Sequence, residues 1–219
     1  MSPGRTTIPP RSGVRRLELG LATLGLLLLA AIPVALLVDR NFFTGIDLAG
    51  DNTVMVHVGA KRSVIVHANR NVLGRVTTRV RSGSLVIGTT PGNLAAKTPM
   101  FVAVSVHSLD RVRLEGDGNI SVTGIDSEGF TVVLRGNGNI DAAGTATNLD
   151  VALTGHGNAL LRRLIARDAR AALSGEGSIM LTATQSLTAR LPGTGTILYG
   201  GNPSHVRQRV TGSGVISAG

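Results

Sequence analysis

Apolar and polar residues alternate through the second half of this chain in blocks that recur about every twenty residues. Each block is centred on two glycines separated by one residue. The first glycines are Gly116, Gly136, Gly155, Gly175, Gly193 and Gly212, at spacings of 20, 19, 20, 18 and 19. Two residues before them stand Leu114, Leu134, Leu153, Leu173, Leu191 and Val210, and four before stand Val112, Val132, Val151, Ala171, Ala189 and Gln208. Four residues after the first glycine come Ile120, Ile140, Ala159, Ile179, Ile197 and Ile216, and two further on Val122, Ala142, Leu161, Leu181, Tyr199 and Ala218. Apolar residues at period 2 on both sides of a glycine pair mark strands with one buried face. The glycine content and the lack of a 3.6-residue period argue against helices. A fixed period near 20 predicts a parallel β-helix or β-solenoid. Coils of short strands and bends would stack about 4.8 Å apart, like residue above like residue. The glycines then fall at corners, where the chain needs φ > 0 or close backbone approach.

Residues 46–106 are strand-like but stand outside this ladder. Thr53 to Val58 and Ser63 to His67 alternate around a turn at Gly59-Ala60-Lys61-Arg62, and Arg75–Arg81 and Ser84–Ile87 flank Ser82-Gly83. Pro91–Pro99 reads as a loop, after which Phe101–Val106 leads into the repeats. This N-terminal β region is expected to close one end of a solenoid built from residues 107–219, because such ends need covering.

Upstream the pattern changes. Leu19–Val38 is an uncharged run of 20 residues, enough as a helix to span a bilayer core of about 30 Å. Arg5, Arg11, Arg15 and Arg16 precede it, and only Arg40 follows, beside Asp39. Positive charge stays on the cytoplasmic side. The expected layout is therefore a cytoplasmic tail (1–18), a transmembrane anchor (19–38) and an extracytoplasmic domain (39–219). A cleaved signal peptide is the competing reading, weakened by the length of the run and by Pro33 in the nearest small-x-small match.

Composition sharpens this picture. Cys and Trp are absent, and Phe and Tyr together number five, so the core must come from stacked aliphatic residues. Disulfides, cysteine-based zinc sites and a lipidated cysteine are excluded. The formal charge is +9, spread in the domain as single Arg and Lys residues and not as a run. Nucleic-acid binding would call for aromatic stacking residues that are missing. Attraction to anionic lipid or to an anionic envelope polymer is the better use of such charge, and another envelope protein is the other candidate partner.

Gly118-Asn119-Ile120 and Gly138-Asn139-Ile140 carry a further signal. With these segments and the strand pairs before them, the chain resembles, over about residues 46–219, the putative auto-transporter adhesin head domain family, or GIN domain. Later repeats depart from the pattern, with Ser178, Thr196 and Val215 in place of Asn. The resemblance implies a right-handed β-helix at the cell surface or in the periplasm, and brings no functional residues with it.

Candidate chemistry is sparse. The G-x-G segments lack the Lys-Ser/Thr ending and the helix of a phosphate loop, and they are unlike calcium-binding nonapeptide repeats. Asn119, Asn139 and Asn158 share a column and could form an amide ladder. Asp117 and Glu176 also share a column, but three coils apart, about 14 Å, against the roughly 5–9.5 Å that glycosidase pairs need. Glu128, Asp150 and Asp168 fall near one turn at differing offsets and read as solvated turn residues. His57, His67, His107, His156 and His205 show no ligand spacing. No catalytic, cofactor-binding or metal residue is assigned.

The expected function is that of a bacterial, membrane-anchored, non-enzymatic binding, adhesin-like or structural envelope module. An envelope-polysaccharide enzyme using turn carboxylates is one alternative, and the ectodomain of a signalling complex is another. The last coil, residues 206–219, is left either to self-associate end to end or to be protected by Arg207, Gln208 and Arg209.

Overall fold

Because inward and outward residues alternate, each glycine-centred segment can stack on the next only in register, and it does. The structure is a computed structural model that describes residues 34–36, 42–68, 73–90 and 101–219, all within the compact unit Ala31–Gly219. Four long strands form its middle: β9 (Asn119–Gly136), β10 (Asn139–Gly155), β11 (Asn158–Leu173) and β12 (Ser178–Leu191). Each runs nearly a whole coil from one glycine corner to the next, and neighbours pair in parallel. Ile120 lies beside Ile140, Ile140 beside Ala159, and Ala159 beside Ile179. β13 (Thr196–Gly200) and β14 (His205–Val210) pair with the two ends of β12, and β15 (Val215–Ala218) pairs with β13. The expected columns are the core: Leu114, Leu134, Leu153, Leu173 and Leu191 are all buried, as are Ile120, Ile140, Ala159, Ile179 and Ile197. This is a parallel β-solenoid, all-β as the alternation predicts.

The N-terminal β region is woven into the same stack. β2 (Gly45–Ala49) lies parallel to β8 (Arg111–Glu115), and β3 (Thr53–Val58) lies parallel to the start of β9. Between them Gly50-Asp51-Asn52 sits beneath Gly116-Asp117-Gly118 and is a further corner of the ladder. Gly118 N–H donates to the Gly50 carbonyl and Asn119 N–H to the Asn52 carbonyl. The expectation that residues 46–106 stand outside the ladder is corrected on this point. Asn52 replaces the second glycine there, and its buried amide donates to Thr89 Oγ1 at 2.7 Å.

Below that coil, β6 (Ser84–Thr89) and β7 (Phe101–Val106) form another, paired in parallel with β2 and β3. Stacking order thus departs from chain order, since the coil written first lies between two written later. Two antiparallel strands finish this end, β4 (Ser63–His67) on β7 and β5 (Val76–Arg81) on β6. The region does close the N-terminal end of the repeats.

Most of the segment expected to span a membrane, residues 19–33 and 37–38, lies outside the described residues, as does the 1–18 tail. Its described part, Val34–Leu36, is a strand, β1, paired antiparallel to β4. The expected helix is corrected there: the outer edge of β4 offers free N–H and C=O groups, and an extended segment satisfies them. Among the described residues no helix is long and apolar enough to cross a membrane.

The glycines answer to packing more than to torsion. Gly116, Gly136 and Gly155 do have φ of 125°, 132° and 130°, but the first glycines of the later pairs do not. What the pairs share is lack of room. A Cβ on Gly138 would run into the Gly118 carbonyl and come within 2.8 Å of Leu114 Cδ2. At the G-x-G corners stacked coils approach too closely for a Cβ.

Candidate anion-binding face

Every outward column of a solenoid brings together residues one repeat apart in sequence, so its faces acquire distinct chemistry. On the face through β3, β13 and β15, Asn139 Nδ2 donates to Asn119 Oδ1 at 2.9 Å. Asn158 Nδ2 donates to Asn139 Oδ1 at 2.8 Å, and Ser178 Oγ to Asn158 Oδ1 at 2.6 Å. The expected amide ladder is present and extends by one hydroxyl. Asn139 and Asn158 each donate to one neighbour and accept from the other, so the column is linked along its length.

Another face, through β2, β8 and β14, is arginine-rich. Five residues before each first glycine stand Arg111, Thr131, Asp150, Arg170, Thr188 and Arg207, aligned by strand pairing. Three before stand Arg113, Val133, Ala152, Ala172, Arg190 and Arg209, aligned in the same way. Arg135 lies one column over, and at the far end Arg79 and Arg81 of β5 pair with Val86 and Ser84. The charge that looked scattered along the chain is gathered here, because a period near 20 makes distant residues neighbours. Reading the odd offsets from each glycine, and not only the apolar even ones, reveals it.

Compensation on this face is uneven. Glu115 is 3.3 Å from Arg135 and 3.7 Å from Arg113, and Asp150 is 3.7 Å from Arg170. Arg111 Nη2 donates to Ser84 Oγ at 2.7 Å. Toward β14, Arg190 lies directly beside Arg209, and both, with Arg207, are exposed. Among the described residues these three have no acidic partner within 4.0 Å. Like charges opposed across neighbouring strands are destabilising. An open depression of about 560 Å³ crosses this end of the face, floored by Ala152 and Ala172 and edged by Arg170, Arg190, Arg207 and Arg209.

The acidic residues singled out in the sequence lie elsewhere or are engaged. Asp117 accepts from Asn137 Nδ2 at 2.8 Å, and Glu176 faces His156 Nδ1 at 3.2 Å. Asp168 accepts from Ser186 and lies 3.8 Å from Arg167. It aligns with Asn148, whereas Asp150 aligns with Thr131 and Arg170, and Glu128 precedes Gly129 of the Asn148 column. The structure does not bring Glu128, Asp150 and Asp168 into one column. His67 stacks on Phe101 with centroids 4.3 Å apart, and His57 contacts Thr123 Oγ1 at 3.3 Å. Among the described residues no group of three or more His, Cys, Asp or Glu could hold a metal ion.

Residues 42–203 match the putative auto-transporter adhesin, head GIN domain family. The chain belongs to this family. Its GIN domain is similar to the solved structure of a putative adhesin from Bacteroides fragilis, at TM-score 0.66 and 18% identity over 85% of this chain and 97% of that one. A putative adhesin from Parabacteroides merdae aligns at TM-score 0.52 and 16% identity, over 86% and 96% of the two chains. At such identities the likeness is one of fold. No curated protein matches the chain. The GIN-domain membership implied by the resemblance is thereby established, and the match ends just before β14, short of the expected residue 219.

Proposed function

We propose that the GIN domain of this chain is a non-catalytic binding module of the bacterial cell envelope, held to the membrane by the uncharged run that precedes β1, with its arginine face as the contact surface. The observation that carries this reading is the uncompensated charge of Arg190, Arg207 and Arg209 at the edge of an open depression. A face that exists only for folding has no need of like charges in register. The four arginines before Leu19 support a cytoplasmic N-terminus, with the domain periplasmic or at the cell surface.

Two measurements test this. Immobilised protein incubated with fractionated cell envelope should retain polymer that elutes with salt; retention of nothing would end the binding-module reading. Protease added to spheroplasts should remove the GIN domain, and a fully protected domain would reverse the orientation.

A second reading, self-association through residues 206–219, is favoured by one observation. Val206, Val210 and Val215 are 39%, 43% and 56% exposed, although the first two continue inward columns. Gln208 covers part of the interior by donating to Tyr199 Oη at 3.0 Å. A mass that rises with concentration in light scattering, and falls back on Val215→Lys, would support a second copy seated there. A constant monomer mass would exclude it.

A further inference from the structure

The depression on the arginine face runs across successive coils, along the axis of the stack. Its lining comes in turn from the later parts of β9, β10, β11 and β12 and from β14. Arg170, Arg190 and Arg209 stand on three consecutive coils whose strands lie about 4.8 Å apart, with Arg170 two residues along from the column that Arg190 and Arg209 share. A ligand lying over these three coils meets a guanidinium on each, and Asp150 of β10, 3.7 Å from Arg170, bounds the basic stretch on the other side. The floor between them is small: Ala152 and Ala172 let a bound group approach the sheet itself.

We infer that this depression binds a linear anionic glycan, laid along the solenoid axis with its acidic groups on Arg170, Arg190, Arg207 and Arg209; the inference rests on the binding-module reading above. Guanidinium groups pair with carboxylate, sulfate or phosphate through two parallel N–H···O bonds. Sugar rings present shallow C–H faces suited to an alanine floor, and the length of one ring in an extended glycan is comparable to one coil. Other polyanions fit less well. The lining has no aromatic side chain on which a nucleic-acid base could stack. It also has no large apolar side chain to enter a bilayer. Relief of the Arg190–Arg209 juxtaposition by a bound anion supplies part of the driving force.

The test is binding of the full chain to polygalacturonate, with neutral dextran as control, followed over a range of salt. The expected result is binding to polygalacturonate alone, weakening steeply with salt. The triple variant R170Q/R190Q/R209Q should bind at least tenfold more weakly with unchanged circular dichroism. R162Q/R163Q, which removes charge outside the depression, should bind as the parent does. Binding of dextran and polygalacturonate alike, undiminished binding by the triple variant, or an equal loss in R162Q/R163Q would overturn the assignment. So would arginine-dependent binding of a DNA oligonucleotide or of phosphatidylglycerol vesicles with no affinity for polygalacturonate. Retention of envelope polymer by the triple variant would leave the binding-module reading intact and sink only this site.

Discussion

On the asparagine side of the solenoid stacked polar groups bond to one another; where arginine stacks on arginine they cannot. An amide carries both donor and acceptor, so Asn119, Asn139 and Asn158 close into a chain of hydrogen bonds along the stack. A guanidinium only donates, so Arg190 above Arg209 leaves donors and charge unanswered. Both faces are made of the same coils and repeat with the same period. The difference teaches that in a stacked fold the chemistry of one outward column decides whether it closes on itself or stays open to a ligand.

The comparison presumes that the side of a strand is what matters, and the largest effect tests that. Ile140 is fully buried beside the outward, half-buried amide Asn139. Ile140→Asp should place an unpaired charge between coils at a cost of several kcal/mol, enough to abolish the unfolding transition. Asn137→Ser, at an exposed corner, should leave the denaturation midpoint almost unmoved. Similar losses from the two would mean that inside and outside are wrongly assigned.

Next comes the corner shared by both faces. Gly138→Ala forces a methyl group against the Gly118 carbonyl, whereas a Cβ on Gly129 meets nothing within 4 Å. The first should cost roughly 1–3 kcal/mol in a urea titration and the second far less. Equal effects would show that close stacking at the corner is not what selects glycine.

The ladder itself should matter less. Asn139→Ala removes a link bonded on both sides and should cost about 1 kcal/mol, with polygalacturonate binding unchanged. A loss of binding there would move the ligand to the asparagine face.

Smallest in stability is Arg190→Gln, which should shift the folding free energy by less than about 0.5 kcal/mol. Its signature is salt dependence. Added salt screens the Arg190–Arg209 repulsion in the parent chain, so the parent should gain more melting temperature from salt than the variant. Identical salt responses would mean that the two guanidinium groups do not feel each other.

How much of this was legible follows from the same geometry. The inward columns could be read directly, because apolar residues at even offsets from each glycine announce themselves as Leu114, Leu134 and Leu153 do. The arginine face was equally encoded, at the odd offsets of Arg170, Arg190 and Arg209, but polar positions carry no such uniform signature. Alanine and threonine share those columns with arginine, and the charge looks dispersed until coils are laid side by side. The early rung at Gly50 was hidden for another reason. Asn52 breaks the G-x-G pattern, and its coil is stacked out of chain order. Periodicity along the chain does not encode that ordering; only the paired strands reveal it.

The most direct measurement is to follow both faces at once in the folded chain while a ligand is added. In a proton–nitrogen correlation spectrum, arginine Nε–Hε and asparagine Nδ2 groups report separately on the two sides. With polygalacturonate titrated in, the Nε–Hε signals of Arg170, Arg190 and Arg209 should shift progressively and saturate. The side-chain amides of Asn119, Asn139 and Asn158, already bonded to one another, should stay in place. Shifts confined to those amides, with the arginine signals unmoved at saturating polymer, would contradict the account.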